Sequence, residues 1–329
     1  MPQPTAGDVH VNGPLSNFTN AIIQRETNFV ATRMFPNMPV EKQSDRYFTY
    51  DRGDWNRDEM TIRAPGTESS GGGYSLDSTP NYFCDVWAHH KDIPDQVRSN
   101  ADAMLNQDRE ATDWVMMKAL IRKEVAWASK YFVTGVWTTE YAGVSASPAG
   151  SEVLQWNAST STPIEDITNA MTTVGESTGF RPNKMTLGRR VWDKLRNHPE
   201  IIDRVKYQGT PNSPAKVSQQ AVAALCELDE IVVMDAIYNS AKRGLTNSHA
   251  FIGGKSALLA YVAPAPGIMT PTAGLTFSWT GYLGAQANGQ RISKFRMENL
   301  KSDRVEIEIA FTQKLVSADL GAFFRTIVA

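Results

Sequence analysis

Histidine is the residue type in this chain best suited to act as a metal ligand or a general base. The sequence has five, and the pair His89–His90, followed by Asp92, is their one cluster. Adjacent residues of a strand point to opposite faces, so this pair cannot chelate one ion from a regular strand. We interpret the cluster as a solvated strand end and predict no metal site.

The two cysteines, Cys84 and Cys226, are far apart, and each stands among apolar residues. They indicate neither a disulfide framework nor a cysteine-rich zinc site. Cys226 and His249 could in principle pair as nucleophile and base, but no local motif supports this, and a thiol in apolar surroundings is usually inert. We predict two buried, reduced thiols.

Two glycine-rich stretches resemble phosphate-binding loops only in part. Gly71–Gly73 lacks the GxxxxGK(S/T) spacing and does not join a buried strand to a helix. Gly254–Ser256 has the end of that motif, but His249 stands where its first glycine is required. No acidic pair suits general acid–base work. We therefore predict no catalytic residue, no cofactor and no enzymatic activity.

The composition is that of a folded protein, with 41% hydrophobic and 21% charged residues. The formal net charge of −2 lacks the basic excess of a dedicated nucleic-acid binder. No stretch approaches the roughly 18 apolar residues of a membrane span, and Met1–Leu15 does not read as a secretory signal. We expect folding in a cytosol, and a length of 329 residues predicts two or more packed units.

Residues 1–44 are interpreted as an arm. They hold one short amphipathic piece, and Pro36 and Pro39 end any helix that it begins. Its apolar residues are Phe18, Ile22, Ile23, Phe29 and Val30. Such a segment cannot bury its apolar side alone, so it should lie across its own subunit or a neighbouring one.

Residues 45–94 are predicted to form a long β-hairpin. Its strands are expected near Tyr47–Tyr50 and Tyr82–Trp87, with a mobile tip at Gly71–Gly73. The intervening sequence is heavily charged and has few apolar residues. The hairpin therefore has little hydrophobic reason to fold alone, which is the first indication of assembly.

One long helix is predicted from about Gln96 to Phe132. A stripe at alternating steps of three and four predicts it: Trp114, Met117, Ile121, Val125, Ala128 and Phe132. Ser99 and Asp102 have capping-box spacing just inside its start. At about 1.5 Å per residue the helix would be about 50 Å long, which is typical of a structural spine.

A loop is predicted over residues 143–162, followed by a mixed α/β section and a β-rich end. The section is expected to hold a helix from a capping box at Thr162–Glu165 to Gly179, helices over 189–197, around 201 and over 219–225, a coil over 209–214, and strands near 185–187, 231–234, 251 and 258–262. Arg304–Ile309 alternates strictly between polar and apolar residues, so one face of that strand should be buried.

This order of elements resembles the major capsid proteins of tailed phages, which have the Hong Kong 97-type fold. Three stretches carry the resemblance locally. Arg63–Gly66 lies where that family's extended loop turns, Leu187–Ile201 is similar to the strand, helix and His-Pro turn of its axial domain, and Asp319–Phe324 resembles its closing strand. The likeness spans nearly the whole chain in order.

The resemblance implies an α+β fold in five segments: an N-terminal arm (1–44), an extended β-hairpin loop (45–94), a peripheral domain with the spine helix (95–150), an axial domain (151–270) and a β-rich return into the peripheral domain (271–329). It implies a homo-oligomeric icosahedral shell of pentamers and hexamers, assembled in the host bacterial cytoplasm. The shell would enclose double-stranded DNA without sequence-specific binding. A portal and a decoration protein are further implied partners, and no membrane is involved.

Two departures from relatives change what we expect. Some relatives begin with a long, cleaved scaffolding segment, whereas this sequence starts almost at the arm, so we expect a separate scaffolding protein unless the chain is a processed form. Others weld subunits together through a lysine of the extended loop. No lysine lies between Lys42 and Lys91, so we predict a non-covalent shell.

Seven residues are our candidates for contacts between subunits. Two belong to the arm and five to the extended loop: Phe18, Ile22, Trp55, Arg57, Asp58, Glu59 and Arg63. The loop residues offer both signs of charge and an aromatic anchor, which suits a well-packed contact. The alternative, an exposed loop with solvated charges, stays open.

Three other functions stay open on the sequence alone. An encapsulin-like compartment would keep the fold and house an enzyme cargo. A hydrolase or transferase would need convergent polar groups in a pocket, which no spacing here predicts. An adhesion or tail protein would leave strand edges of the hairpin exposed in a free subunit.

Overall fold

Two sheets and one long helix form the centre of the fold. The computed structural model describes residues 24–101, 106–205, 217–265, 267, 270–284 and 289–329. The predicted coil over 209–214 lies outside these residues.

The helices and strands are as follows. The helices are Ala31–Met34 (α1), Arg52–Trp55 (α2), Asp95–Ser99 (α3), Gln107–Tyr131 (α4), Pro163–Thr178 (α5), Arg189–Leu195 (α6), Pro199–Val205 (α7), Gln219–Leu225 (α8) and Thr280–Leu283 (α9), with short 3₁₀ turns at Glu26–Asn28, Glu298–Leu300 and Ala318–Leu320. The strands are Asn37–Val40 (β1), Ser44–Arg46 (β2), Thr49–Tyr50 (β3), Leu76–Asp77 (β4), Asn81–Phe83 (β5), Asp85–Pro94 (β6), Thr139–Val144 (β7), Glu152–Leu154 (β8), Lys184–Gly188 (β9), Glu230–Met234 (β10), Ile237–Asn239 (β11), His249–Phe251 (β12), Ala257–Ala260 (β13), Gly274–Trp279 (β14), Gln290–Met297 (β15), Ser302–Leu315 (β16) and Gly321–Arg325 (β17).

A six-stranded sheet has the order β10-β9-β13-β17-β7-β8 and is buried on both faces. Phe323 and Phe324 are adjacent in β17, so they point to opposite faces, and both are almost fully buried. On one face α5 contributes the apolar stripe that its sequence predicts: Ile164, Ile167, Met171 and Val174. On the other face lie Trp127 and Phe132, at the end of α4.

A second sheet is built around β16. This strand pairs with β6 over ten residues on one side, and with β15 and then β14 on the other. Val305, Ile307 and Ile309 alternate inward and are each 2% exposed, as the sequence predicts. They pack against Ala111 and Val115 of α4.

The helix predicted from Gln96 to Phe132 is two helices, α3 and α4. The Ser99 hydroxyl donates to the Asp95 carbonyl at 2.7 Å, and the Asn106 side chain accepts from the Arg109 amide at 3.1 Å, which caps a new helix. Asp102, of the predicted capping box, lies outside the described residues. The 25 residues of α4 span about 38 Å instead of the expected 50 Å.

The predicted stripe on this helix is confirmed at its end, where Ala128 and Phe132 are each 8% exposed, and it is rotated over the rest. Trp114 is 38% exposed, and Met117, Ile121 and Val125 are only half-buried. The residues buried against β16 are the small ones, Ala111, Val115 and Ala119. Small side chains let the helix lie close to the sheet, so the larger side chains are displaced to its flanks.

The predicted loop over 143–162 contains strand structure. β8 lies parallel to β7, with Ala142 opposite Glu152. A Cβ atom on Gly143 would lie 2.3 Å from the Thr326 carbonyl oxygen, so glycine is needed for this close approach of two backbones. Glycine and serine content indicated a loop, whereas here it allows close backbone packing.

The capping box predicted at Thr162–Glu165 does not form, because the Thr162 side chain makes no capping hydrogen bond. The Ile164 amide instead donates to the Glu200 carboxylate of α7 at 3.4 Å. The other end of α5 agrees with the sequence, since Gly179 has a φ of 77° and ends the helix in the left-handed conformation.

The sheets cross two predicted segment boundaries. β17 falls in the predicted return into the peripheral domain, but it pairs with β13 and β7 in the six-stranded sheet. β7 falls in the predicted peripheral segment and belongs to the same sheet. A strand with large apolar residues on both faces requires a central position in a covered sheet, which explains the placement of β17. The division into arm, loop and domains stays a prediction.

The described end of the arm packs on its own chain. Val30, Met34 and Phe35 are fully buried, and the Phe35 ring lies 5.8 Å from that of Trp127 and 4.8 Å from that of Tyr131. β1 then continues parallel to β14 at the edge of the second sheet. The arm is thus fixed to its own subunit from residue 29 onward.

Gly274→Ala is expected to lower the free energy of unfolding by about 1–3 kcal/mol, the usual cost of overpacking a core. A Cβ atom at Gly274 would lie 2.3 Å from the buried Phe35 ring. The matched control is Gly175→Ala within α5, where nothing lies within 4 Å of the new atom and the helix should gain about 0.5–1 kcal/mol. Chemical denaturation of both variants tests the difference, and equal stabilities would contradict it.

Candidate inter-subunit surfaces

The hairpin of residues 44–83 has little structure of its own. β2 pairs with β5 over three residues, and β3 pairs with β4 over two. Its main anchor is Tyr82, which stacks on Phe277 at 4.6 Å, and Arg52 reaches Asp319 at 3.2 Å. Most of the remaining side chains from 44 to 81 are exposed.

The predicted return strand Tyr82–Trp87 is divided between two partners. Tyr82 and Phe83 belong to β5, whereas Asp85–Trp87 begins β6 and pairs with β16. The change occurs at Cys84, which is fully buried and whose amide donates to the Gln43 carbonyl at 2.8 Å. Burial of this one side chain fixes the base of the hairpin to the second sheet.

Trp55 belongs to a small aromatic cluster near the hairpin tip. Its ring lies 6.0 Å from that of Tyr50 and 5.5 Å from that of Tyr74. The preceding helical turn, α2, is capped by Asp51, whose carboxylate accepts from the Gly53 amide at 2.9 Å. Trp55 nevertheless remains 55% exposed, so this surface can bury further area on contact with another chain.

Arg57 lies between two carboxylates of its own hairpin. It contacts Glu59 at 3.2 Å and Asp54 at 3.8 Å. Hydrogen bonds from the Ser75 hydroxyl and amide, at 2.7 and 2.8 Å, hold the pKa of Asp54 below its usual value. These exposed pairs in high-dielectric surroundings stabilise the chain little, and they leave Arg57 available to a second partner.

The remaining predicted contact residues lie apart from this group. Asp58 is exposed and accepts a long hydrogen bond from the Met60 amide at 3.4 Å. The Arg63 guanidinium turns toward the Thr67 carbonyl at 2.5 Å, within the turn that includes Pro65. Arg57 and Glu59 thus contact each other, and Trp55 contacts Tyr74, whereas Arg63 contacts its own turn. Phe18 and Ile22 lie outside the described residues.

Sequence reasoning missed the most exposed apolar side chains of the hairpin. Met60 is 91% and Ile62 is 103% exposed, and Phe48 and Tyr74 are more than 60% exposed. The signal was the alternation Met60–Thr61–Ile62 within a charged stretch, which is a strand-like pattern. Large apolar side chains that are this exposed on one segment mark an interaction site more strongly than the charges do.

Glu124 anchors the arm to α4 from a buried position. Its Oε2 atom accepts hydrogen bonds from the Val30 and Ala31 amides at 3.0 and 2.9 Å, while its Oε1 atom has no partner among the described residues. Burial raises the pKa of this carboxyl to about 7, and the two amide donors partly oppose that rise. Arg33 pairs with Glu230, and Gln24 exchanges two hydrogen bonds with Ile237.

A buried serine–histidine pair has structural geometry instead of catalytic geometry. Ser161 Oγ and His198 Nε2 are 3.1 Å apart, and both residues are 4% exposed. His198 Nδ1 accepts from the Glu200 amide, so Nε2 carries the proton and donates to the Ala158 carbonyl. An Nε2 atom that already holds a proton cannot take one from Ser161.

The other candidate groups show the same inertness. Burial raises the pKa of both thiols, Cys84 and Cys226, to about 11, and His249 is exposed on β12. The Gly253–Gly254 turn packs on β9, where a Cβ atom on Gly188 would lie 2.5 Å from the Gly254 carbonyl oxygen. Within the described part of the chain, no three His, Cys, Asp or Glu side chains are placed to hold a metal ion. None of the helices described is long and apolar enough to cross a membrane.

Comparison with known proteins relates the chain to viral shell proteins. Residues 151–301 match the model of the family described as phage major capsid protein E. The major capsid protein of Pseudomonas phage JBD67 is 27% identical over 313 residues, which cover 94% of this chain and 95% of the relative. The chain is thus similar to a phage major capsid protein over nearly its whole length.

The fold agrees with this relationship. The mature capsid of bacteriophage PhiM1 superposes with a TM-score of 0.60, covering 96% of this chain and 92% of that one at 10% identity. The SrpI encapsulin from Synechococcus elongatus PCC 7942 gives a TM-score of 0.59, covering 96% and 95% at 13% identity. The chain therefore has the α+β, Hong Kong 97-like fold that the order of its elements predicts. Its similarity to the SrpI encapsulin is a similarity of fold alone.

Proposed function

We propose that this chain is the major capsid protein of a tailed phage, and that pentamers and hexamers of it form an icosahedral shell around a double-stranded DNA genome. The observation that carries the proposal is the hairpin of residues 44–83, which exposes large apolar side chains and has few contacts of its own. Such a segment gains stability by burying surface between chains. The relationship to phage capsid proteins over 94% of the chain supports the same class.

We further propose that the protein has no enzymatic activity and no cofactor. The buried thiols and the proton position on His198 support this, because neither arrangement supplies a nucleophile or a base. A separate scaffolding protein, a portal and a decoration protein remain proposed partners. Assembly is proposed to take place in the host bacterial cytoplasm, without a membrane.

The test is expression of the full chain, alone and with candidate scaffolding proteins, followed by light scattering and negative-stain microscopy. Closed shells tens of nanometres across are expected. A stable monomer that does not assemble under any condition would overturn the proposal.

An encapsulin-like compartment is the second candidate, because the SrpI encapsulin has a similar fold. The two uses differ in what native particles contain. DNA in particles isolated from the natural source would support the phage capsid, and a protein cargo would support the compartment. The sequence relationship favours the phage capsid.

Mature particles are expected to dissociate to single chains on a denaturing gel. The hairpin has no lysine between Lys42 and Lys91, so it lacks the amine that an isopeptide bond from this loop requires. Boiling in detergent with and without reductant, followed by electrophoresis, is the measurement. Ladders of covalent oligomers that survive reductant would contradict this prediction.

A further inference from the structure

One exposed surface alternates aromatic rings with cations. We call it the basic–aromatic strip and define it by five residues: Trp87 and His89 of β6, and Trp114, Lys118 and Arg122 of α4. The Arg122 guanidinium lies 3.8 Å from the Trp87 ring centre, and the Lys118 ammonium lies 5.5 Å from that of Trp114. The His89 and Trp114 rings are 4.8 Å apart.

The strip is held rigidly and stays accessible. β6 is hydrogen-bonded to β16 along ten residues, and α4 packs on the same sheet, so both elements have fixed positions. Trp87 and Trp114 are each 38% exposed, and Lys118 and Arg122 are exposed. The two cations lie one helical turn apart. Because their contacts with the rings already restrict both side chains, less side-chain conformational entropy is lost when they bind a ligand.

The two cations of the strip have no carboxylate partner within the described residues. Neither Lys118 nor Arg122 forms an ion pair with any residue that the structure describes, whereas about half of the described Lys and Arg side chains do. Lys91 lies on the same face of β6, since it is two residues from His89. Asp85 is the one carboxylate of β6 on that face, and Glu110 lies one turn before Trp114 in the same row of α4. Neither makes an ion pair with Arg122 among the described residues. The pKa of His89 is lowered by burial, then by Lys118 and His90.

We propose that the basic–aromatic strip is a contact surface for the phosphate backbone of the packaged double-stranded DNA. This rests on the proposed function, because it requires DNA inside the shell. Unpaired, exposed cations attract a polyanion and release its counterions on contact, a gain that does not depend on sequence. A chain with a net charge of −2 can hold DNA only weakly, so a local strip of this kind suits a wall that contacts DNA without fixing it.

The test measures binding of a short, fluorescently labelled DNA duplex of mixed sequence to unassembled full-length chain, by anisotropy over a series of salt concentrations. Lys118→Ala with Arg122→Ala removes the strip. Arg190→Ala with Lys194→Ala is the matched control, because these two exposed cations also lie one turn apart, on α6, and the loss of charge is the same. Light scattering on each variant records shell formation independently.

The strip variant is expected to bind the duplex more weakly, and the slope of log affinity against log salt should fall by about 2, which is about 0.9 for each lost phosphate contact. The control should keep the wild-type slope. Equal losses in both variants, no binding by wild type, or impaired shell formation with unchanged DNA binding would each overturn the inference, and the last would make the strip a subunit contact. Failure of the wild type to form shells is a separate result that concerns only the proposed function.

Discussion

The chain carrying Met60→Ser and Ile62→Ser should remain folded and lose the ability to form closed shells. Both side chains are almost completely exposed on a hairpin with little core of its own, so the substitutions remove nothing from the interior of the subunit. Full burial of an apolar side chain of this size is worth about 1.5–3 kcal/mol, which is lost twice per subunit and repeated in every copy. Light scattering and negative-stain microscopy measure assembly, and circular dichroism verifies the fold.

The matched control for this experiment replaces exposed leucines elsewhere in the chain. Leu245→Ser with Leu300→Ser changes side chains that are 67% and 51% exposed, and shells should still form. Arg57→Ala with Arg63→Ala should weaken assembly less than the serine pair, because exposed charges are screened and already have partners within the hairpin. Normal shells from the Met60 and Ile62 variant would make the hairpin a solvated loop, the alternative that the sequence left open.

The free energy of unfolding should fall as the pH rises from about 4.5 to about 7, because the Glu124 carboxyl is buried in the folded chain. The pKa of Glu124 is about 7 in the folded chain and 4.5 when exposed. A carboxyl whose pKa is raised by folding contributes stability that is present in full below the exposed pKa and is lost as the pH rises through the folded one. A shift of about 2.5 pKa units corresponds to about 3 kcal/mol, at 1.36 kcal/mol per unit.

Chemical denaturation at a series of pH values between 5 and 8 measures this dependence. The free energy of unfolding should fall across that range in the wild type. Glu124→Gln should abolish this part of the pH dependence, since the amide stays neutral. Glu176→Gln, at an exposed position of α5, is the control and should behave as wild type does. A pH dependence that persists in Glu124→Gln would assign the effect to another group, Lys123 being the nearest buried one.

Most elements with a strong pattern were predictable from the sequence. The stripe of α5 and the alternation of Val305, Ile307 and Ile309 follow from burial on one face, and in both elements the tertiary contacts reinforce the local pattern. The order of helices and strands was sufficient to indicate the fold, because a fold depends on the type and length of its elements more than on their exact first and last residues.

The long helix shows where such reasoning fails. The predicted stripe through Trp114 was based on large side chains. The residues that pack on the sheet are instead the small ones, Ala111, Val115 and Ala119. The Asn106 cap that separates α3 from α4 was readable as a helix start, but the apolar pattern that continued beyond it outweighed the signal.

The hairpin residues show a similar limit. Trp55, Arg57, Asp58 and Glu59 were placed correctly on an exposed hairpin, because a charged stretch without apolar partners cannot be buried. Their pairing within the hairpin was not predictable, since ion pairs depend on geometry that spacing does not fix. Met60 and Ile62 were passed over for the opposite reason, because two apolar residues in a charged segment give too weak a pattern to place on one surface.

The position of β17 has a consequence for the timing of biosynthesis. This strand lies inside the six-stranded sheet, where Ala322 pairs with Thr139, about 180 residues earlier in the chain. Until residues 321–325 have left the ribosome, β13 and β7 have no strand between them, and Trp137 and Tyr141 lack part of their packing. Pairing over such separations is slow and follows synthesis. A nascent subunit therefore cannot complete its six-stranded sheet before β17 has been synthesised.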